Sequence, residues 1–527
     1  MVKMFRIGFR FFLALISAIS LGAVSTVSPA WAVAGWVQVG SDIDGEAAFD
    51  YSGKSVSWSS DGSRVAIGAP YNSGGADYAG HVRVYEWTGS AWVQLGSDIN
   101  GEAAWDESGR SVSLSSDGSR VAIGAAENDG GGIDAGHVRV YSWTGSVWVQ
   151  MGSDIDGEAA GDYSAEEVSL SANGTRVAIG AQNNAGGGDY RGHVRIYDWN
   201  GSAWVRVGSD IDGEADYNSS GTSVSLSPDG STVAIGARYN SDAAPVSGHV
   251  RVYGLTGGAW AQLGSDIDGE ASFDGSGTSV SLSSDGSTVA IGAPGNGGGA
   301  GHVRVYDLTG GAWVQVGSDI NGEAAFDQSG YSVSLSSNGT RVAIGANGND
   351  GGGINAGQVR VYDLTGGAWV QVGCDINGEA AGDYSGLPVS LTSGGSRVAI
   401  GAISNDGAGS LAGHVRVYDL TSSGGGCGGG GGGVTSEPRN LKVTGKTSVT
   451  RTLQWSVPGS LNGGSITDYI IQYRVGGTSG WSTFTDGISA SRKVKVTGLT
   501  KNVKYQFQVA ASTSGGDSPY STATKAS

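Results

Sequence analysis

The sequence predicts an all-β protein: seven copies of one four-stranded unit in series, followed by a separate, smaller β-sandwich. Three observations carry this. The string VAIGA begins at positions 65, 121, 177, 233, 289, 342 and 398, at intervals of 56 residues except for one of 53. Each copy lies among short stretches of alternating apolar residues bounded by turn residues, and none of these stretches has helical spacing. A WVQVG segment at 36–40 precedes the first full unit, whereas the seventh unit has none after its last HVRVYDL. Seven four-stranded sheets in a ring make a seven-bladed β-propeller. The N-terminal strand then completes the last blade and removes a free sheet edge.

Before the array, residues 1–32 read as a secretory leader. Lys3, Arg6 and Arg10 give a positive start, FFLALISAISLGAV an apolar centre, and Ala30-Trp31-Ala32 a small-x-small cleavage site. Nothing else in the chain is apolar enough to span a bilayer as a helix. The expectation is a secreted or cell-surface protein, with no membrane insertion after the leader is removed. The net charge of −18 argues against nucleic acid and anionic lipid as partners. It suits cations, cationic proteins or neutral glycans. Only two cysteines occur, Cys374 and Cys427, so the chain is no disulfide scaffold, and their pairing cannot be read from spacing.

Within the first unit the four strands are KSVSWS, SRVAIGA, HVRVYEW and AWVQLGS. SDG joins the first two and TGS the last two, both tight-hairpin signals in which glycine supplies a positive φ. The two longer connections then share the opposite rim. One is the link between second and third strands, such as AENDGGGIDAG. The other is the acidic crossover into the next unit, SDIDGEAAFDYSG at 41–53 and its six relatives. A ligand-binding face is expected on this upper rim, formed by crossovers and links.

The succession SGKSV, VAIGAP, GHVRVY, repeated in that order over residues 36–420, resembles the FG-GAP repeat of integrin-α-type propellers. Kelch repeats, with their paired glycines and tryptophan, are the nearest competitor. The resemblance implies a propeller over 33–420 and says little about function. Its calcium-binding members carry several acids between first and second strands. Here that turn holds one at most: Asp61, Asp117, Asn173, Asp229, Asp285, Asn338 and finally Gly395. Calcium takes six to eight oxygens, so one acid per turn is too few.

Residues 421–435, rich in glycine, read as a flexible linker. From 436 to 527, SEPRNLKV, TLQWSVP, ITDYIIQYR and VKVTGLTKNVKYQFQVAA resemble a fibronectin type III domain. The resemblance makes Trp455 its core tryptophan, and Leu499 and Tyr505 the pair that fixes a corner of the sandwich.

The acids of the crossover invite calcium as the one cofactor to consider, with Asp42, Asp44, Asp50, Asp98, Asp106, Asp154, Asp156 and Asp162 as candidate ligands. The competing reading is a metal-free Asp-Gly or Asn-Gly turn. Glu46 and its equivalents are alternatively expected to pair with Arg83, Arg139, Arg195, Arg251, Arg304, Arg360 and Arg416 as a staple between blades. All six histidines (81, 137, 193, 249, 302 and 414) occupy one repeat position. Blades stand too far apart for that ring to gather on one zinc ion, so a structural role is expected. Seven tryptophans, from Trp36 to Trp369, open the outermost strands as expected packing residues; if exposed, they would serve as stacking platforms.

An enzyme has to break the symmetry of its repeats. The breaks are Glu166 and Glu167 in unit three, Asn218 with DAAPVS in unit four, and Pro388 in unit seven. None assembles an acid–base pair or a nucleophile with a histidine, and alternation along a strand is expected to turn Glu166 and Glu167 to opposite faces. No catalytic residue is assigned. The expected function is non-catalytic binding or adhesion toward an extracellular protein or glycan, with a structural surface or matrix component as the alternative and a glycan-active enzyme behind both.

Overall fold

A computed structural model describes residues 35–186, 188–421, 438–456 and, with short gaps, 466–525. The expected leader and most of the glycine-rich linker lie outside the described residues. The described residues form antiparallel sheets and a single helical turn, Asn296–Gly299, in the shortened fifth unit.

Seven sheets share one plan. In the first, Ser55–Trp58, Arg64–Ala69, His81–Trp87 and Trp92–Gln94 follow one another in space as in sequence. The strands are short because a tight turn falls every few residues; Gly62 at the first turn has φ 70°. A fifth, two-residue strand, Ile99–Asn100, leaves the crossover to pair with the start of the third, His81 opposite Asn100. The inner strand of each sheet lies against the inner strand of the next, and the seventh against the first.

The core lies between sheets. Ala66, Val82 and Val84 of the first meet Val112, Leu114, Val121 and Ile123 of the second. Equivalent clusters fill every junction, including the one joining seventh to first, where Val415 and Val417 meet Trp58, Val65 and Ile67. The glycine of VAIGA exists for this packing: a Cβ on Gly68 would stand 1.9 Å from the carbonyl oxygen of Gly109 in the next sheet. On the inner strands, the amide of Leu114 donates to Ser57 Oγ of the preceding sheet at 2.9 Å, and the same bond recurs around the array.

The N-terminal strand Gly35–Gln38 pairs antiparallel with His414–Thr421, Trp36 opposite Leu420, and so belongs to the sheet holding the last three strands of the array. The tryptophans are packing residues. Each of the seven donates its indole N–H to a backbone carbonyl of the preceding unit, from Trp36 to Val372 (2.9 Å) and Trp92 to Val39 (3.0 Å) through to Trp369 to Val316 (2.8 Å).

In the C-terminal segment, a three-stranded sheet (Arg439–Lys446, Arg451–Ser456, Lys493–Val496) and a four-stranded one enclose a core of Leu453, Trp455, Ile471, Val496, Leu499, Phe507 and Val509. The Tyr505 hydroxyl accepts the amide of Thr500 at 3.1 Å, fixing the corner expected of it.

Trp36→Ala removes both the hydrogen bond and the largest side chain that the closing strand contributes to the sixth–seventh junction. A loss of about 3 kcal/mol in the repeat region is expected, read by denaturant unfolding followed at the tryptophans.

Candidate functional site

The upper rim is built from crossovers clasped to links. In the first crossover Gly45 donates to the Gly413 carbonyl (2.8 Å), and Tyr51 and Ser52 donate to Leu411 and Ala412. Gly45 does not have the positive φ of the expected Asp-Gly turn. It is required because a Cβ would lie 2.1 Å from the Ala412 carbonyl oxygen, the closeness that lets the strands cross.

The eight candidate calcium ligands fall into three positions with separate work. Asp50, Asp106 and Asp162 are buried. Asp50 Oδ2 accepts the amides of Glu46 and Ala47 and the side-chain amide of Asn72, at 3.1, 2.9 and 3.0 Å. Asp162 does the same with Ala159 and Asn184. These carboxylates cap their own loop and tie it to the link. Asn218 breaks the pattern in unit four; there the link's Asn240 turns to Asp242 instead (2.8 Å). Asp44 and Asp156 are exposed and end the two-residue strands Ile43–Asp44 and Ile155–Asp156. Asp42, Asp98 and Asp154 each accept a glutamine amide four residues upstream, at 2.6–2.7 Å.

The expected Glu–Arg staple has a definite geometry at all seven junctions. Arg83 places one nitrogen 3.5 Å from Glu46 Oε1 and donates another to the Asp44 carbonyl at 2.7 Å. The six equivalent glutamates stand 3.3–3.7 Å from their arginines. Beside each pair, except where Gln358 intervenes, is a buried histidine. Burial, reinforced by the neighbouring arginine, lowers His81, His193, His249 and His414 to about 4, so the rings are neutral at pH 7. The histidines do not converge on one centre. Each instead meets carboxylates of its own junction, a grouping that sequence inspection missed because its members come from successive crossovers.

A recurring set of exposed apolar side chains was also missed. Phe49, Trp105, Tyr217, Phe273 and Phe326 stand on the crossovers at 52–74% exposure and φ 64–73°. In the third and seventh crossovers the place is taken by Gly161 and Gly382. There the partner residue of the link is Ile133 or Ile354, each 72% exposed. The pairing is fixed by hydrogen bonds: Phe49 donates to Ser410, Trp105 to Asp77, Gly161 to Ile133, Tyr217 to Asp189, Phe273 to Pro245, and Gly382 to Ile354. Each junction thus presents at least one large exposed apolar group, from one side of the clasp or the other. The Tyr78 and Trp105 rings stack at 4.6 Å and those of Tyr190 and Tyr217 at 5.9 Å.

Three of the symmetry breaks, Glu166, Glu167 and Pro388, gather elsewhere, in a cavity of about 270 Å³ around the starts of the inner strands, with Lys54, Arg110 and Arg238 beside them. Glu166 precedes its strand, which runs Glu167–Leu170, so alternation does not separate the two side chains, and both line the cavity. Arg110 bridges Glu166 (2.6 Å) and Glu107 (2.5 Å). Among the described residues Glu167 has no such ion pair. Burial, with Glu166 adding and Lys54 opposing, pushes its carboxyl up to about 8.

Cys374, at the start of the seventh crossover, is disulfide-bonded; Cys427 lies outside the described residues.

Two outcomes follow. Asp50→Ala strands a buried amide and two backbone N–H groups, so a loss of about 2 kcal/mol in thermal or denaturant unfolding is expected, with or without calcium. Because Glu167 holds its proton more tightly folded than unfolded, its contribution is fully present below its unfolded pKa, near 4.5, and fades as pH rises through about 8. Glu167→Gln is expected to flatten that fall in the melting midpoint, gaining on the wild type at pH 9 and not at pH 4.

The Fibronectin type III domain family model matches residues 436–527. A titin homologue of Caenorhabditis elegans is 38% identical over 88 residues, 16% of this chain and, rounded, 0% of that protein, so the chain spans a negligible part of it. Among solved structures, module A71 of titin from human cardiac muscle is 29% identical and covers 18% of this chain and 90% of that one, with a TM-score of 0.17. Kuenenia stuttgartiensis hydrazine synthase is 14% identical and covers 69% of this chain and 94% of that chain, with a TM-score of 0.44. Residues 436–527 are therefore a fibronectin type III domain.

Proposed function

We propose that the seven sheets form a seven-bladed propeller of the FG-GAP type, and that the chain is an exported, non-catalytic binding protein whose upper rim holds an extracellular glycan. The leader sequence and the disulfide at Cys374 support export. The FG-GAP reading rests on the ordered motifs and on inner strands that neighbour one another around the array. Nucleic acid is no part of this reading, and no cofactor is required for it.

One observation carries the choice of face. Five bulky aromatics hold a left-handed backbone, which costs about 1 kcal/mol or more each, yet they are not buried. Burial does not repay that cost, although Trp105 and Tyr217 each stack on a tyrosine of the link. Glycine, which takes the same conformation freely, stands at the equivalent place twice. Flat apolar faces beside carboxylate acceptors suit the ring faces and hydroxyls of neutral sugars, and a repeat of similar weak contacts gives avidity along a polymer. The fibronectin type III domain then acts as spacer or second contact. The alternative partner is a matrix protein, and the alternative role is a structural component of a surface layer.

Phe273→Gly with Phe326→Gly is expected to leave the melting midpoint unchanged or raise it by a few degrees, while abolishing retention on a glycan array. Retention that survives the change overturns the assignment of the face. Retention on matrix proteins alone favours the protein partner, and ordered self-assembly without either ligand favours the structural role. Glycan turnover lost in Glu167→Gln would move the activity to the axial cavity.

A further inference from the structure

At each histidine-bearing junction the imidazole is 1% exposed, and Nδ1 points to the rim. His81 Nδ1 stands 3.9 Å from Glu46 Oε2, with Asp98 completing the group. His249 Nδ1 lies 3.7 Å from Glu214 Oε2 and 3.9 Å from Asp266 Oδ2 and has no hydrogen-bond partner. His414 Nδ1 lies 3.9 Å from both Glu379 Oε2 and Asp42 Oδ2. These separations are too long for hydrogen bonds; at His81, His137 and His193 the ligand atoms of histidine, glutamate and aspartate lie within 4.8 Å of one another, as do those of Glu214, Asp242 and His249 and of Asp42, Asp44 and His414.

The other oxygen of each carboxylate is already occupied. Arginine holds Oε1 of the glutamate, as Arg251 does for Glu214 at 3.7 Å. Glutamine holds Oδ1 of the aspartate at five of the six junctions, as Gln262 does for Asp266 at 2.6 Å, and at the His193 junction Arg206 holds Asp210 at 2.8 Å. Oε2 and Oδ2 are left facing the imidazole, oriented as outer-shell partners orient metal ligands. Six copies share this arrangement. At the one junction where Gln358 replaces histidine, its amide bonds Asn377 instead (3.3 Å).

We propose that each histidine-bearing junction binds a divalent transition-metal ion of the zinc class, through imidazole Nδ1, glutamate Oε2 and aspartate Oδ2. Zinc–ligand bonds of about 2.0–2.1 Å place tetrahedral ligand atoms roughly 3.3 Å apart, so each carboxylate closes on the imidazole by about half an ångström and the two carboxylates on each other by up to about 1.5 Å. Both are partly exposed and free to do so. One nitrogen and two oxygens suit zinc or its neighbours, whereas calcium wants an all-oxygen shell of six to eight. The fourth position opens to the rim, where a ligand hydroxyl or carboxylate can enter. Charged neighbours act in opposite senses: the junction arginine, and Arg206 at the His193 junction, oppose the cation, while Asp44 and Asp242 add carboxylates at the His414 and His249 junctions.

The test is protein-bound zinc, measured by metal analysis after the full chain is stripped with chelator and dialysed against zinc chloride. Six equivalents are expected for the wild type, one for each histidine. His81→Gln, which installs the side chain nature uses at 358, lowers the count to five. Gln358→His raises it to seven. A folded wild type that retains no zinc overturns the proposal, as does a count unmoved by both substitutions. Calcium chloride that displaces zinc at equal concentration assigns the site to the carboxylates alone and overturns it too.

Discussion

The junctions depend on a guanidinium placed where water barely reaches. Arg83 and its six equivalents are 2–8% exposed, and a charge so placed is costly unless it is fully paired. Its partners, a backbone carbonyl and a glutamate, both belong to the segment arriving from the preceding sheet. The adjacent tyrosine ring, 5.5 Å from Arg83 Cζ, closes another side. Satisfying the arginine therefore fixes the crossover, and the fixed crossover sets everything on the rim. The glutamate's free oxygen turns to the histidine, the capping aspartate reaches the link, and the aromatic residue is held out toward solvent.

Much of the architecture was legible because each unit is local. Strand, turn and strand lie within a few residues, and a seven-fold recurrence makes even a weak signal plain. The closing strand was legible as an imbalance between the ends of the array, since WVQ at its start lacked a partner at its end. The tryptophans could be assigned to packing from their position alone, and Trp455, Leu499 and Tyr505 from the resemblance of their segment.

The rim was harder to read, for physical reasons. A histidine's neighbours come from the crossover before its strand and the one after, so no single repeat contains the group. The acids looked alike in sequence but differ in space: Asp50 is spent on backbone amides, Asp42 on Gln38, and Asp44 faces solvent. Gly45 looked like a turn glycine, although what it supplies is clearance for a carbonyl. Glu166 and Glu167 defeated the alternation rule because only one of them is in a strand. The trade between Phe49 and Ser410 on one clasp and Gly161 and Ile133 on another is visible only once the hydrogen-bond pairs are known.

The closing strand also governs when the array can be finished. Gly35 and Thr421, which share a hydrogen bond, are 386 residues apart in sequence. Every other sheet can form as soon as its own unit is synthesised, but the seventh must wait for both ends, so this most non-local pairing is the natural last step of folding. Until then the chain carries two unsatisfied edges of complementary sequence, and another copy of the chain can supply either one.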